Sequence, residues 1–493
     1  MPRRRLGWPG FRHIWPPFLF GVAAALGQSP VGAWYIAVPA LAALVWWVSK
    51  PGPPPAPIWA AWFGGAGYFA LSLNWIVEPF MIDAATYGWM APFAVVLLTF
   101  GLALFWAAAA VLAGFATNRA LGFAAALTFA ELARGYVLTG FPWALIGHIW
   151  IDTPVAQLAA LTGPSGLTLA TLLTAALLAQ RRTLPALAAI ASLAAPMAYG
   201  LWVLSQPMPA GPDITLRLIQ PNAEQRLKWD PAEADQFFNR LLAYTAVKPT
   251  PDLVIWPETA LPYSLEHNPE LIAVIAAAGN GAPVLVGRQR VVGTQGWNSL
   301  SLITPDGAMT ATYDKHHLVP FGEYIPFGDL AYALFGLTAF AAQQGNGYTP
   351  GPGPQLMDLG TALGKIIPLI CYEAVFPQDL RGTARPDWIL QVTNDAWFGT
   401  LSGPFQHLAQ ARLRAIEQGL PLVRVANTGV TGVYDARGRE TAALEFGTAS
   451  YLEAQLPADL PRTPYARFGE IPLLVLLGAL GLIVFRKFRP TTP

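Results

Sequence analysis

A single cysteine, Cys371, in 493 residues excludes a disulfide framework and any zinc site built on thiolates. Charge is scarce as well. Asp, Glu, Lys and Arg make up 12% of the chain, about half the share an ordinary soluble domain carries. The net charge of +1 leaves no basic footprint for a nucleic acid. There is no HExxH pair to hold a catalytic metal. Nor is there a fixed-period repeat or a low-complexity tract, apart from a proline-rich turn at 51–57. What abounds is apolar: 54% hydrophobic residues, with 18 Trp and 26 Phe, at a mean hydropathy of +0.40. Such a composition excludes a disordered chain and points to a membrane protein.

The charge that exists is unevenly placed. Residues 1–212 carry 9 Lys/Arg and 4 Asp/Glu, whereas 213–468 carry 18 and 24. The second block therefore reads as a water-soluble domain of ordinary size. The expected organisation is a membrane domain over 1–212, a soluble-type domain over 213–460, and a final span with a basic tail over 461–493. Apolar runs near the ~20 residues that cross a bilayer core lie at 13–27, 31–49, 57–77, 91–116, 121–138, 161–180, 185–204 and 469–485. The fifth contains Glu131 and Arg134, whose i,i+3 spacing would let them pair on one helical face; an ion pair between two helices is the alternative.

Basic residues test this count. Arg3, Arg4, Arg5 and Arg12 precede the first run, and Lys50 and Arg119 follow the second and fourth. Arg181 and Arg182 follow the sixth, and Arg486, Lys487 and Arg489 the eighth. The alternate connections, 28–30, 78–90 and 139–160, hold no Lys or Arg. Positive residues mark the cytoplasmic side, so eight spans with both termini inside, and the 213–468 block outside, are expected. The first run also has features of a cleavable signal; an uncleaved span is expected, since the block after it is membrane-embedded too.

From 213 onward, short β-rich runs alternate with helical stretches. Strands are predicted at Thr215–Gln220, Leu253–Trp256, Pro283–Val286, Ser299–Thr304, Lys365–Ile370, Trp388–Thr393 and Leu422–Ala426. Helices are predicted at Pro231–Thr245, Asn268–Ala278 and Pro404–Gln418. The alternation implies an α/β domain of packed layers, in one sheet or two. Reactive side chains fall where such domains place function, at the carboxyl ends of strands: Glu258, Cys371 with Tyr372 and Glu373, and Asn394 with Asp395. A polar loop, Tyr313–Glu323, lies among apolar neighbours.

A thiol attacks carbonyl carbon as its thiolate, so it needs a base and a partner for the oxyanion that forms. Glu258 suits the first task and Lys315 the second. Against this, a lone cysteine is often an inert small hydrophobe, and a strand-end Glu is often only solvated. His316 and His317 are expected to support the loop.

The runs Trp256-Pro257-Glu258-Thr259, Lys315-His316-His317-Leu318-Val319-Pro320-Phe321-Gly322-Glu323 and Cys371-Tyr372-Glu373 resemble the nitrilase (carbon–nitrogen hydrolase) superfamily. More narrowly, the spans joined to this domain are similar to the apolipoprotein N-acyltransferase family of the bacterial inner membrane. Leu138–Trp143, Lys228–Pro231, Asn394–Phe398 and Arg424–Gly429 carry the likeness along the whole chain. The resemblance implies an αββα sandwich, with Glu258 as base, Lys315 as transition-state stabiliser and Cys371 as nucleophile. It implies supporting roles for Glu323, Glu373, Asn298 and Tyr372, and a substrate-pocket aromatic in Trp229. No metal or organic cofactor is required. The implied reaction moves an acyl chain from a membrane phospholipid, through a Cys371 thioester, to the α-amine of a lipoprotein's diacylglyceryl-cysteine, in a protein acting as a monomer. A membrane-anchored amidase and a non-catalytic lipoprotein-binding scaffold are the rival readings. The apolar stretch 324–337 is expected to be a lid at the membrane interface or a buried helix.

Overall fold

Residues 11–51, 55–326 and 347–485 are described by the structure, a computed structural model of the chain. The chain divides into two compact units. One comprises Met1–Pro207 with Leu401–Ala409 and Thr463–Pro493; the other comprises Met208–Thr400 with Gln410–Arg462. The segment 401–409 belongs to the first unit although nothing in its composition separates it from the second.

In the first unit each of the eight apolar runs holds a helix: Phe11–Ala25, Trp34–Ser49, Ala56–Ser72, Ala91–Ala113, Arg119–Arg134, Ala159–Ala179, Thr183–Ser205 and Ile471–Val484. Among the described residues, three helical stretches are long and apolar enough to cross a membrane: Ala84–Ala113, Pro154–Ala179 and Thr183–Ser205, of mean hydropathy 2.5, 1.4 and 1.8. Large apolar side chains such as Leu184, Leu187, Ile190, Leu201 and Trp202 stand exposed on the last of these. The Phe11–Ala25 and Ala56–Ser72 helices approach through glycine. A Cβ on Gly67 would lie 2.0 Å from the Phe18 carbonyl oxygen, so no larger residue fits that crossing.

Glu131 and Arg134 do pair, at 2.7 Å with both side chains buried, and they do so within one helix rather than between two. Arg134 Nη1 also donates to the carbonyls of Phe141 and Trp143 at 2.5 and 2.9 Å. Trp106 Nε1, from the neighbouring helix, donates to Glu131 Oε1 at 2.9 Å. The pair therefore fastens the Phe141–Trp143 turn to two helices. Both Nη groups of Arg134 and both Glu131 oxygens find partners, while Arg134 Nε finds none among the described residues, so most of the cost of burying these charges is offset.

Among the described residues, the second unit has two six-stranded sheets. Its strands are β1 Thr215–Gln220, β2 Leu253–Ile255, β3 Val284–Val292, β4 Gln295–Ile303, β5 Met309–Asp314, β6 Met357–Asp358, β7 Lys365–Ile370, β8 Trp388–Thr393, β9 Leu422–Ala426, β10 Thr431–Tyr434, β11 Glu440–Leu444 and β12 Ser450–Gln455. One sheet runs in the order β12-β1-β2-β3-β4-β5, the other β11-β10-β9-β8-β7-β6. The central strands β1 to β3 and β7 to β9 are parallel, and antiparallel strands flank them. Continuous apolar runs such as Leu-Val-Ile in β2 fit strands covered on both faces. Phe238 and Leu241 of the Pro231–Thr245 helix pack with Ile275 of the Glu270–Ala278 helix on Val254, Val284 and Ile303 of the first sheet. On the second sheet, Arg412 of the Gly403–Gln418 helix lies over the Tyr434 ring of β10.

All seven strands predicted from sequence are present, and β1, β7, β8 and β9 keep their predicted ends. The prediction missed β5, β6, β10, β11 and β12. These are short or carry polar residues on a half-exposed face, as in Ser-Tyr-Leu-Glu-Ala-Gln of β12, so no apolar run marks them. Tyr313 and Asp314 close β5 instead of opening a loop. Tyr324–Pro326 of the predicted lid are described, with Tyr324 bridged to Pro320 and Gly347; residues 327–337 lie outside the described residues.

Candidate active site

Four strand ends converge. The residues after β2 lead through Trp256 and Pro257 to Glu258, and the next residue, Thr259, is left-handed at φ 43°. Strand β3 must run close behind this turn, and it does so at glycine: a Cβ on Gly287 would sit 2.0 Å from the Pro257 carbonyl oxygen. Lys315 follows β5, its backbone N–H bonded to the Asn298 carbonyl of β4 at 2.9 Å. Cys371 follows β7 and is itself left-handed, at φ 53°. A non-glycine residue held there stores of order 1–3 kcal/mol of strain, which surrounding contacts must offset. Asn394 follows β8.

Their side chains form one buried cluster. Lys315 Nζ lies 2.9 Å from Glu323 Oε1 and 3.6 Å from Glu258 Oε1. Asn298 Nδ2 donates to Glu258 Oε1 at 2.7 Å and to Glu323 Oε1 at 3.1 Å. The Asn394 backbone N–H donates to Glu258 Oε2 at 2.7 Å, and the Val319 N–H to Glu323 Oε2 at 2.8 Å. Lys315 is 1% exposed and Cys371 5%. Burial pushes the Cys371 thiol well above its ordinary value, and the Glu258 charge pushes it further; Lys315 and a hydrogen bond with Thr393 pull the other way. For Lys315 burial opposes the charge, but Glu323, Glu258 and Cys371 outweigh it and hold the ammonium above the usual lysine range. At neutral pH the cluster thus rests as a thiol beside a permanent cation.

Glu373, fully buried, joins the cysteine turn to the lysine loop. Its Oε1 accepts from the N–H groups of His316 and His317 at 2.8 and 3.2 Å and from the Tyr313 hydroxyl at 3.0 Å. Its Oε2 accepts from the Ile370 N–H at 2.7 Å. His316 Nδ1 stands 2.6 Å from the same Oε1, and Asp379 Oδ2 lies 3.2 Å from His316 Nε2 and 3.1 Å from His317 Nδ1. Burial lowers the pKa of His316, but the hydrogen bonds and charges of Asp379 and Glu373 more than reverse this, raising it to about 9. The ligand atoms of His316, His317 and Asp379 lie within 4.8 Å of one another, close enough to share a metal ion. Imidazole–carboxylate hydrogen bonds already account for the grouping. The expectation that these histidines support the loop matches this geometry.

Glu258, Lys315, Glu323 and Asn298 thus meet directly, and Glu373 holds the backbone around them. Tyr372 lies edge-on to the rings of Phe376 and His317 at 4.9 and 6.0 Å. Trp229 lines a cavity of about 140 Å³ with Tyr263, Gln289, Arg290 and Tyr348. Tyr348 ties this cavity to the cluster, since its N–H bonds the Glu323 carbonyl at 2.8 Å. Sequence reasoning missed Asp379, Tyr313, Thr393 and Tyr348 as contributors. Asp379 sits in a short helical turn with no motif to mark it, whereas Tyr313 stands two residues before Lys315 and was within reach. A carboxylate, an ammonium and a buried thiol so arranged are the components of acyl transfer through a covalent intermediate.

Comparison with known proteins identifies the family. Residues 20–177 match the apolipoprotein N-acyltransferase N-terminal domain family, and residues 215–465 match the carbon–nitrogen hydrolase family. An apolipoprotein N-acyltransferase from Rhodopseudomonas palustris is 36% identical, over 98% of this chain and 97% of its own length. One from Caulobacter vibrioides is 39% identical over the same shares of the two chains. Among solved structures, a CN-hydrolase superfamily protein from Xanthomonas campestris is similar at 22% identity, with a TM-score of 0.37, over 50% of this chain and 91% of that one.

Proposed function

The chain belongs to the apolipoprotein N-acyltransferase family, and from that premise we propose that it moves an acyl chain from a membrane phospholipid to the α-amine of a lipoprotein's N-terminal diacylglyceryl-cysteine, with Cys371 as the carrier. Glu258 takes the thiol proton as Cys371 Sγ attacks the ester carbonyl, and the Lys315 ammonium receives the oxyanion. Collapse of the tetrahedral intermediate breaks the C–O bond. The departing lysophospholipid oxygen takes the proton from Glu258, and a thioester remains. The acceptor amine then attacks the thioester, yields a proton to Glu258, and leaves as an amide while Cys371 regains its proton. This is ping-pong catalysis. Glu323, Asn298 and Glu373 support the triad, Trp229 lines the substrate pocket, and Tyr372 stands beside the nucleophile.

The observation that carries this reading is the buried contact of Lys315 with both Glu258 and Glu323 at 3.6 and 2.9 Å, at the strand ends that also bear Cys371. Both substrates are bilayer lipids, which accounts for joining a soluble-type unit to apolar helices. In the full arrangement we infer eight spans over 1–212 and 461–493, both termini in the cytoplasm, and the 213–460 domain in the periplasm of a bacterial inner membrane, acting as a monomer. The match to the carbon–nitrogen hydrolases supports a second reading, a membrane-anchored amidase. The test is the intact mass of the purified protein after incubation with a defined phospholipid, beside Cys371→Ser. A hydroxylamine-labile acyl adduct on the wild type alone, discharged by a diacylglyceryl-cysteine peptide, is expected. Discharge by water alone would establish the hydrolase, and no adduct on folded protein would remove Cys371 from the mechanism.

A further inference from the structure

One buried cation has no part in the scheme above. Lys228 is 4% exposed. Its Nζ donates to the Thr259 hydroxyl at 3.0 Å and to the Glu258 carbonyl oxygen at 3.3 Å. Both acceptors are neutral, so a buried ammonium sits in the site on hydrogen bonds that bring no opposite charge to it. That is costly unless a nearby anion compensates. Burial lowers Lys228 to about 8, and the nearby Glu258 charge is what draws it back up.

A charge count gives this ammonium a purpose. Glu258 and Glu323 share the Asn298 amide and the Lys315 ammonium. Two carboxylates facing one cation leave the cluster with a surplus negative charge, and two carboxylates sharing one site disfavour each other's ionisation. A second cation removes the surplus. Lys228 also braces the left-handed Thr259, the residue next to Glu258.

We propose that Lys228 is a positioning residue of the active site, the second buried cation, which keeps the Glu258 carboxylate charged and fixed so that it can take the Cys371 proton. The proposal rests on the reading of Glu258 as base. It adds a function to the Lys228-Trp229 pair: one residue lines the cavity while its neighbour sets the charge of the base. On its own segment the charged neighbours of Lys228 are Glu224, Arg226 and Asp230, all exposed. From the turn after β2 it faces Glu258. Lys315, Cys371 and Tyr348 face that carboxylate from the ends of other segments, and Glu323 shares Lys315 and Asn298 with it.

Because Cys371 is the single thiol in the chain, its alkylation by iodoacetamide reads the base directly and needs no lipid substrate. The rate is measured from pH 5 to 9 on the full chain in detergent micelles. Lys228→Met should move the acid limb of the profile upward by about one pH unit, making alkylation on that limb about ten-fold slower at a given pH. Lys228→Arg should restore the limb. Lys228→Gln, which retains a donor for Thr259 without the charge, should shift it as Met does, and serves where the Met variant fails to fold. A limb unmoved in the neutral variants, with only melting lowered, would overturn the proposal and leave Lys228 a structural strut. Glu258→Gln separates the two levels: an acid limb that survives it would overturn the base assignment, and the role of Lys228 with it.

Discussion

Removing the Glu373 side chain should loosen the candidate site more than removing any other carboxylate there. Four hydrogen bonds converge on it: the N–H groups of His316, His317 and Ile370, and the Tyr313 hydroxyl, between 2.7 and 3.2 Å. His316 Nδ1 adds an ion pair at 2.6 Å. Glu373 is fully buried, so Glu373→Ala leaves these donors away from bulk solvent. A buried donor left unsatisfied costs about 1–3 kcal/mol, and breaking a buried ion pair from one side about 3–5 kcal/mol. These overlap because the donors share one acceptor, so we expect a loss of about 4 kcal/mol for Glu373→Ala. At about 2–4 °C per kcal/mol for a domain of this size, melting should fall by roughly 8–16 °C. Glu373→Gln keeps an oxygen for the three donors on the Oε1 side and turns an amide N–H toward that of Ile370. One unfavourable donor pair remains, about 1–3 kcal/mol, so its melting point should fall about half as far. Thermal unfolding in detergent micelles, followed by a thiol-reactive dye on buried Cys371, measures both. Melting of Glu373→Ala within 2 °C of wild type, or Gln as damaging as Ala, would refute the assignment of Glu373 as the knot between the lysine loop and the cysteine turn.

Three further outcomes are expected. Gly287→Ala would put a Cβ 2.0 Å from the Pro257 carbonyl oxygen and 2.9 Å from Glu258 Cα. The shift forced on the Glu258 turn should lower turnover by about 100-fold, with melting reduced much less; unchanged turnover would mean that the turn does not set the base. Glu131→Ala strands the buried Arg134 and should cost about 3–5 kcal/mol. Glu131→Leu with Arg134→Met leaves no buried charge and should cost less than Glu131→Ala alone, a ranking that melting of the three proteins decides. Because His316 is raised to about 9 in the folded chain, its contribution is complete below its unfolded value of about 6.5 and is lost as pH climbs through about 9. The melting difference between wild type and His316→Gln should therefore shrink from pH 6.5 to 9.5, and a difference that grows would reverse the sign of the coupling.

The parts legible in the sequence were those where burial writes a pattern. Strands covered on both faces, such as Trp388–Thr393, read as apolar runs and kept their predicted ends. Strand ends bearing Glu258 and Cys371 stood out because a reactive polar residue terminated such a run. What stayed hidden was set by the third dimension. Met309–Asp314 alternates polar and apolar residues on an outer strand, and its ladder partner Gln295–Ile303 is what defines it. Asp379 enters the site because a helical turn after Cys371 swings it under His316 and His317. Lys228 was visible only as the neighbour of Trp229, since its contacts lie 30 and 31 positions away along the chain.

The electrostatics of the cluster bear on how an acyl-enzyme would be kept for an amine. A thiol held well above its ordinary value by burial and by Glu258 is a poor free nucleophile at neutral pH, since the thiolate is the reactive form. On the proposed reading, such a cysteine reacts when an electrophilic carbon is positioned so that proton loss to Glu258 and attack proceed together. On the same reading Lys315, already anchored to Glu323 at 2.9 Å, would meet the oxyanion without reorganising, the condition under which electrostatic stabilisation is most effective. The same burial serves the second half-reaction. On the proposed reading, once Cys371 is a thioester the burial that raised its thiol also keeps it from bulk solvent, while the donors on Glu258 leave it aimed at whichever nucleophile enters. On the proposed reading, the preference for amine over water is therefore set by access to the cluster rather than by any group that recognises the amine chemically. Enlarging the cavity at Trp229, by Trp229→Ala, should increase hydrolysis of the acyl-enzyme relative to transfer, read as free fatty acid against N-acylated peptide. An unchanged ratio would place the control of water elsewhere.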